Sequence, residues 1–222
     1  MSWKSLSSGK IWDEYNIVVP NAQEIHEEYQ RASDEIVSQQ SSHVDISYDT
    51  GGERQSLDLF TPNTESPSPI LVFFHGGYWK ANSKNLRRFP AQAYTDNGIA
   101  WGPINYRLAP EFSIDEIVHD GRNAIAWLYR NAKDFNCDPN KIYVAGNSAG
   151  GHMIAMLCAH GWQSRYDVPD DVVKGGCALS GLFDLEPLLQ AEANEWLKMD
   201  TETARRNSPV DVLPARGTKM II

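Results

Sequence analysis

Gly146-Asn147-Ser148-Ala149-Gly150 lies between a β-type stretch, Lys141 to Ala145, and a helix-forming one that opens at Ala149. A serine at such a strand-to-helix junction is held on a sharp, strained turn with its hydroxyl exposed, and only small residues on either side leave room for it. The five-residue pattern alone recurs by chance in unrelated chains; the flanking strand and helix give it meaning. Ser148 is therefore the first candidate nucleophile.

Working outward, the run Ile70 to Phe74 reads as a strand and leads into His75-Gly76-Gly77-Tyr78-Trp79. Acyl transfer to a serine generates an oxyanion that preorganised backbone N–H groups must stabilise. Ala149, directly after the nucleophile, offers one such group, and Gly76 and Gly77 offer others because no side chain obstructs them. Tyr78 and Trp79 follow the glycines; they are expected to wall an acyl or aryl pocket, with core filling as the alternative.

The rest of the chain alternates strand and helix. Asn21 to Gln40 reads as an N-terminal helix outside the core. His43 to Tyr48 and Gln55 to Phe60 read as an antiparallel hairpin around Gly51-Gly52, and Pro62 to Pro69 as a surface loop. Ser83 to Asn97 suits a helix, and Gly98 to Tyr106 a strand made irregular by Pro103. Ile114, Ile117, Val118, Gly121, Ala124, Ile125 and Leu128 recur at helical spacing. Ala149 to His160 is apolar or small on nearly every face, which suits an interior helix. Val172 to Leu179 is a further strand, Leu188 to Arg206 is helical in broken pieces, and Lys219 to Ile222 opens another strand. This pattern predicts an α/β fold, a mostly parallel sheet with helices on both faces, whose chemistry gathers at the carboxyl ends of the strands.

Composition narrows the function classes. The 222 residues are 41% hydrophobic and 22% charged, as expected for one globular domain spanning 1–222 with residues 1–40 as a helical extension. A net charge of −9 without a basic patch argues against nucleic acid. No stretch has the length or apolarity of a membrane span or a signal peptide, so a cytoplasmic protein with no membrane partner is expected. A homodimer is compatible with the sequence. Cys137, Cys158 and Cys177 lack metal-ligand spacing and read as reduced thiols; no metal or cofactor is expected.

The segments LDLF (Leu57 to Phe60), FFHGGYW (Phe73 to Trp79), NYRLAPE (Asn105 to Glu111), GNSAGG (Gly146 to Gly151) and SGLFDLEPL (Ser180 to Leu188) resemble the α/β-hydrolases, in particular the kynurenine formamidase (arylformamidase) and hormone-sensitive-lipase-like esterase group. The resemblance implies Ser148 as nucleophile and Gly76, Gly77 and Ala149 as oxyanion hole. It also implies a small-molecule amide or ester substrate, with an aryl formamide such as N-formylkynurenine, a step of tryptophan catabolism, ahead of short-chain carboxylic esters. Asn147 stands where these families often carry His or Asp.

In this fold the order is Ser, then Asp or Glu, then His. No histidine follows His160, so the catalytic acid and His are expected to be absent from this chain, which reads as cut short before the last strands and helix. A non-catalytic remnant or binding module is the competing class. His75 is expected to hold its loop, and His152 and His160 to pack or face solvent. His119 and Asp120, adjacent on a helix, point to different faces. Asp184, beyond a strand, is expected to anchor a loop, with the role of acid as the alternative.

Overall fold

The computed structural model describes residues 3–16, 19–39, 42–50, 52–212, 214 and 218–222. Gln40 and Gly51, which bear on the expected helix end and hairpin turn, lie outside the described residues.

Seven strands form one sheet in the order β1-β2-β4-β3-β5-β6-β7. Strands β1 (Ser42–Ser47) and β2 (Ser56–Phe60) are the expected antiparallel hairpin, and β2 joins β4 (Ala100–Ile104) antiparallel. From there β4, β3 (Ser68–Phe74), β5 (Cys137–Asn147), β6 (Val173–Leu179) and β7 (Lys219–Ile221) pair in parallel. Pro103 lies inside β4 opposite Phe73. Strand β3 starts at Ser68, two residues earlier than the apolar run suggests, because the Ser68 amide donates to the Asn136 carbonyl at 3.0 Å.

The two faces of the sheet are covered unequally. Ile70, Val72 and Phe74 of β3 and Ile142 and Val144 of β5 are fully buried in the main core, beneath α4 (Ile114–Asn131) and α5 (Ala149–Cys158). Helix α4 starts at a reciprocal cap: Ser113 Oγ accepts from the Glu116 amide, and Glu116 Oε2 accepts from the Ser113 amide at 2.8 Å. On the opposite face, α2 (Ala22–Gln39) and α3 (Ala91–Thr95) cover β2 and β4 through a second cluster of Ile36, Phe60, Ala91 and Trp101. Beyond that cluster, on β5 to β7, no helix among the described residues covers the face: Tyr143 is 41% exposed and Ile221 70%. Helices thus lie on both faces, but only over part of the second.

Two expectations are corrected. Helix α2 does not lie outside the core, since its Ile36 is 6% exposed and packs on the sheet. Ser83 to Asn97 is not one helix. A short 3-10 turn, Lys84–Arg87, is followed by α3, and the break falls at Phe89-Pro90. Buried charge fixes that turn: Lys84 Nζ lies 2.6 Å from both Asp58 Oδ1 and Asp45 Oδ1, and Arg88 Nε lies 2.6 Å from Asp58 Oδ2. At the N-terminus, α1 (Ser8–Tyr15), capped by Ser7, buries Ile11 in the main core.

Candidate active site

Strand β5 delivers Ser148 at its carboxyl end, and the next residue begins α5. Ser148 has φ 55° and ψ −119°, a left-handed conformation costly for a residue with a side chain. The strain is held from both sides. Its amide donates to the Leu179 carbonyl of β6 at 2.8 Å, and its carbonyl accepts from the His152 amide at 3.0 Å, closing the first helical turn. Ser148 is partly buried. Ala149 is the first residue of α5, so its N–H has no partner within the helix.

The loop after β3 comes up beside this elbow. A Cβ on Gly76 would sit 2.8 Å from Asn147 Nδ2 and 3.2 Å from Ser148 Cβ, so only glycine lets the loop approach so closely. Asn147 thereby contributes a side chain that packs on the glycine loop. The Gly76 carbonyl is tied away by Asn82 Nδ2 at 3.1 Å. Gly77, with φ 122°, makes the turn, its carbonyl accepting from the amides of Lys80 and Ala81 at 3.0 Å. The structure therefore brings Gly76 and Ala149 to the two sides of Ser148, and Gly77 one residue further along.

Tyr78 and Trp79 differ in burial. Both have positive φ, 49° and 56°, and their rings meet edge-on with centroids 6.3 Å apart. Trp79 is fully buried, its ring edge-on to His152 at 5.1 Å, and its carbonyl accepts from the Ala109 amide. The expectation that Trp79 walls a substrate pocket is corrected: with no exposed surface it fills core under the loop. Tyr78 stays half-exposed, and its hydroxyl donates to the Tyr15 carbonyl of α1.

Neither nearby histidine is set up as a base. His75 is fully buried, stacked on Tyr106 at 4.4 Å, and its Nδ1 donates to the Gly76 carbonyl at 2.8 Å. Burial pushes its pKa down to about 3. His152 is equally buried, donates from Nε2 to the Asn207 carbonyl at 2.8 Å, and is pushed by burial down to about 4. Among the described residues no histidine nitrogen bonds Ser148 Oγ. His160 is exposed just beyond α5. His119 pairs with the Tyr166 hydroxyl at 2.6 Å, while Asp120 is buried against Arg107 at 2.7 Å, so the two do point apart. Asp184 accepts from the Glu186 amide at 3.0 Å and anchors the loop after β6.

These buried neutral imidazoles make a pH prediction. Unfolded histidine takes up a proton near pH 6.5, whereas folded His75 and His152 resist it down to about pH 3 and 4. Between those values the unfolded state binds more protons, so stability is complete above pH 6.5 and falls as pH falls. At pH 5 the loss is about 2 kcal/mol per histidine, roughly 4 kcal/mol for both. Urea midpoints at pH 7 and 5 should show this drop, and His152→Gln, which keeps a donor for the Asn207 carbonyl, should roughly halve it. An equal drop in the variant would remove His152 from the account.

The sequence reading missed Trp12 and Tyr15 on α1 and Trp196 on α6 (Asn194–Leu197). Trp12, Tyr78 and Trp196 form one aromatic group, with ring centroids 5.7, 6.0 and 6.3 Å apart, and Trp196 Nε1 donates to the Tyr78 carbonyl at 3.1 Å. Ser7 as a cap, with Ile11, Trp12 and Tyr15 at helical spacing, was the available signal.

Comparison with known proteins gives consistent relatives. Residues 57–200 match the BD-FAE family. The chain is 34% identical over 167 residues to a kynurenine formamidase of Danio rerio, covering 75% of this chain and 55% of that one. A crystal structure of a thioesterase candidate from silicibacter sp. tm1040 superimposes with a TM-score of 0.77 at 30% identity, over 91% of this chain and 74% of that one. Esterase B of Lactobacillus rhamnosis shares the fold at a TM-score of 0.67 and 16% identity, over 86% of this chain and 70% of that one. The chain spans about half the length of the curated relatives it matches.

Proposed function

The chain belongs to the BD-FAE family and has the α/β-hydrolase fold of the kynurenine formamidase and esterase group, and from that premise we propose that it is a serine hydrolase in which Ser148 attacks the carbonyl of a small amide or ester. The observation that carries the proposal is the strained elbow at Ser148, with Gly76 pressed against it and the free first amide of α5 beside it. Attack by Ser148 Oγ on the acyl carbon pushes an electron pair onto the carbonyl oxygen. The amides of Ala149 and of the Gly76-Gly77 turn receive that charge, and collapse expels the amine or alcohol, leaving an acyl-serine that water hydrolyses.

The substrate proposed first is an aryl formamide of the N-formylkynurenine type, supported by the 34% identity to kynurenine formamidases and by the aromatic surface around Tyr78. Short-chain esters come second. The proton acceptor for Ser148 is proposed to lie outside these residues, since His75 and His152 are buried, hydrogen-bonded and held neutral. The reaction needs no metal or cofactor as written.

With His75 and His152 buried and hydrogen-bonded, the test supplies a base from solution. Exogenous imidazole can take the serine proton, so p-nitrophenyl acetate with imidazole should acetylate Ser148, read as a single acetyl mass increment on the peptide that contains it. Ser148→Ala should remove that increment. Acetylation spread over lysines and unaffected by Ser148→Ala would overturn the nucleophile and leave a binding module.

A further inference from the structure

The N-terminal helix α1 touches more than one element near Ser148. It runs between the two loops that flank Ser148. On one side the Tyr78 hydroxyl donates to the Tyr15 carbonyl, two residues beyond the Gly76 that touches the elbow. On the other, α1 packs on the 3-10 turn Glu186–Gln190, and Tyr15 lies near enough to Asp184 for that carboxylate, after burial, to push its phenol pKa up. That second loop leaves β6 at Leu179, the residue whose carbonyl holds the Ser148 amide. Where α1 meets the first loop, Trp12 and Trp196 stand against Tyr78, each partly open to solvent. One face of Trp196 is already taken: Lys80 Nζ lies over its ring at 3.3 Å. The ring surface left here belongs to Trp12, Tyr78 and the opposite face of Trp196.

We propose that Trp12 and Trp196 determine specificity, completing with Tyr78 an aromatic wall that receives a flat aryl group carried on the scissile amide or ester. This deepens the acyl-transfer reading above and rests on it. The physical reason is that π-faces set at large angles to one another, 51° and 76° from Trp12, favour a ring that stacks on one and meets another edge-on. An alkyl chain gains only its buried area there.

The test separates the wall from the nucleophile. Formanilide serves as the aryl probe and N-butylformamide as its non-aromatic counterpart, each titrated against the 222-residue chain by calorimetry. Formanilide should bind more tightly, and Trp12→Ala or Trp196→Ala should weaken it about three- to tenfold while leaving N-butylformamide unchanged. Trp12→Phe, which keeps a ring, should retain most of the preference. Circular dichroism and the Ser148 acetylation described above report whether each variant is folded and whether its elbow is intact. Ser148 acetylation with unaltered formanilide affinity in folded Trp12→Ala and Trp196→Ala chains would overturn the wall and spare the nucleophile. Trp12-dependent formanilide binding without Ser148 acetylation would do the reverse. Equal affinity for the two probes in the unaltered chain also overturns the wall.

Discussion

Gly150→Ala should destabilise the chain by more than about 4 kcal/mol. A Cβ built on Gly150 falls 2.0 Å from the Phe74 carbonyl oxygen, 2.7 Å from the Phe74 carbonyl carbon and 2.9 Å from the His75 carbonyl oxygen. All three are backbone atoms. A flexible side chain could swing away from a new methyl group, but these belong to the end of β3, which is hydrogen-bonded to β4 on one side and β5 on the other. Relief would require lifting α5 off the sheet, and α5 is buried along its whole length. Overpacking of this kind typically costs 1–3 kcal/mol where side chains can adjust. Against fixed backbone we expect more than about 4 kcal/mol, a large share of the 5–15 kcal/mol that holds a domain together. Gly9 supplies the control: nothing lies within 4 Å of a Cβ there, and it sits inside α1. Gly9→Ala should be neutral or stabilise by up to about 1 kcal/mol. Urea unfolding of the two variants beside the parent chain decides the matter, and a cooperative transition near the parent midpoint for Gly150→Ala would refute the packing argument.

The same contact explains why the elbow was legible in sequence. Small residues at 146, 149 and 150 are imposed by local sterics, and local sterics leave a mark on composition. Gly146, like Gly150, has no room for a methyl group: its Cβ would lie 2.7 Å from the Gly150 backbone and 2.9 Å from the Phe74 carbonyl. Strand β3 was legible for a related reason, since its run Ile70 to Phe74 is apolar without interruption, as parallel strands near the centre of a sheet are. What could not be read was set by tertiary partners or by backbone sign. Lys84 and Arg88 look like the polar face of a helix, and only the distant Asp58 turns them into a buried charged knot that forces a 3-10 turn. Tyr78 and Trp79 are chemically alike and adjacent. Their different burial, one ring against α1 and one beneath the loop, goes with consecutive positive φ angles that no side-chain pattern announces. Trp12 and Trp196 lie 184 residues apart in the chain and meet only once the fold brings α1 over the loop after β3.

Purified at micromolar concentration, the chain should self-associate, and the association should run through the uncovered sheet face and the β7 edge. In β3 to β7 the residues paired across the sheet alternate in fate. Ile70, Ile142, Val144 and Ala178 point into the core, whereas Leu71, Tyr143 and Lys219 lie in register through Gly175 on the other side, with Phe73, Ala145, Cys177 and Ile221 in the next row. No helix among the described residues covers this second set on β5 to β7. Tyr143 is 41% exposed and Ile221 70%, and among the described residues β7 pairs with β6 alone, with no partner on its outer edge. A bare apolar face continuous with an open strand edge is a template for a second copy of the same chain, which can add strands to the edge and bury the face in one step. Lys174 and Lys219 at its margin discourage this, but two charges are few against that row of apolar side chains. Tyr143→Lys with Ile221→Lys should oppose it more strongly, because each puts a charge where docking would desolvate it. Both positions are on the far face from α4 and α5, so folding should survive the change. Light scattering across a concentration series should give a mass that rises with concentration for the parent chain and a constant monomer mass for the double variant. A monomeric parent chain, or a double variant that associates just as strongly, would show that this face is not what draws the copies together.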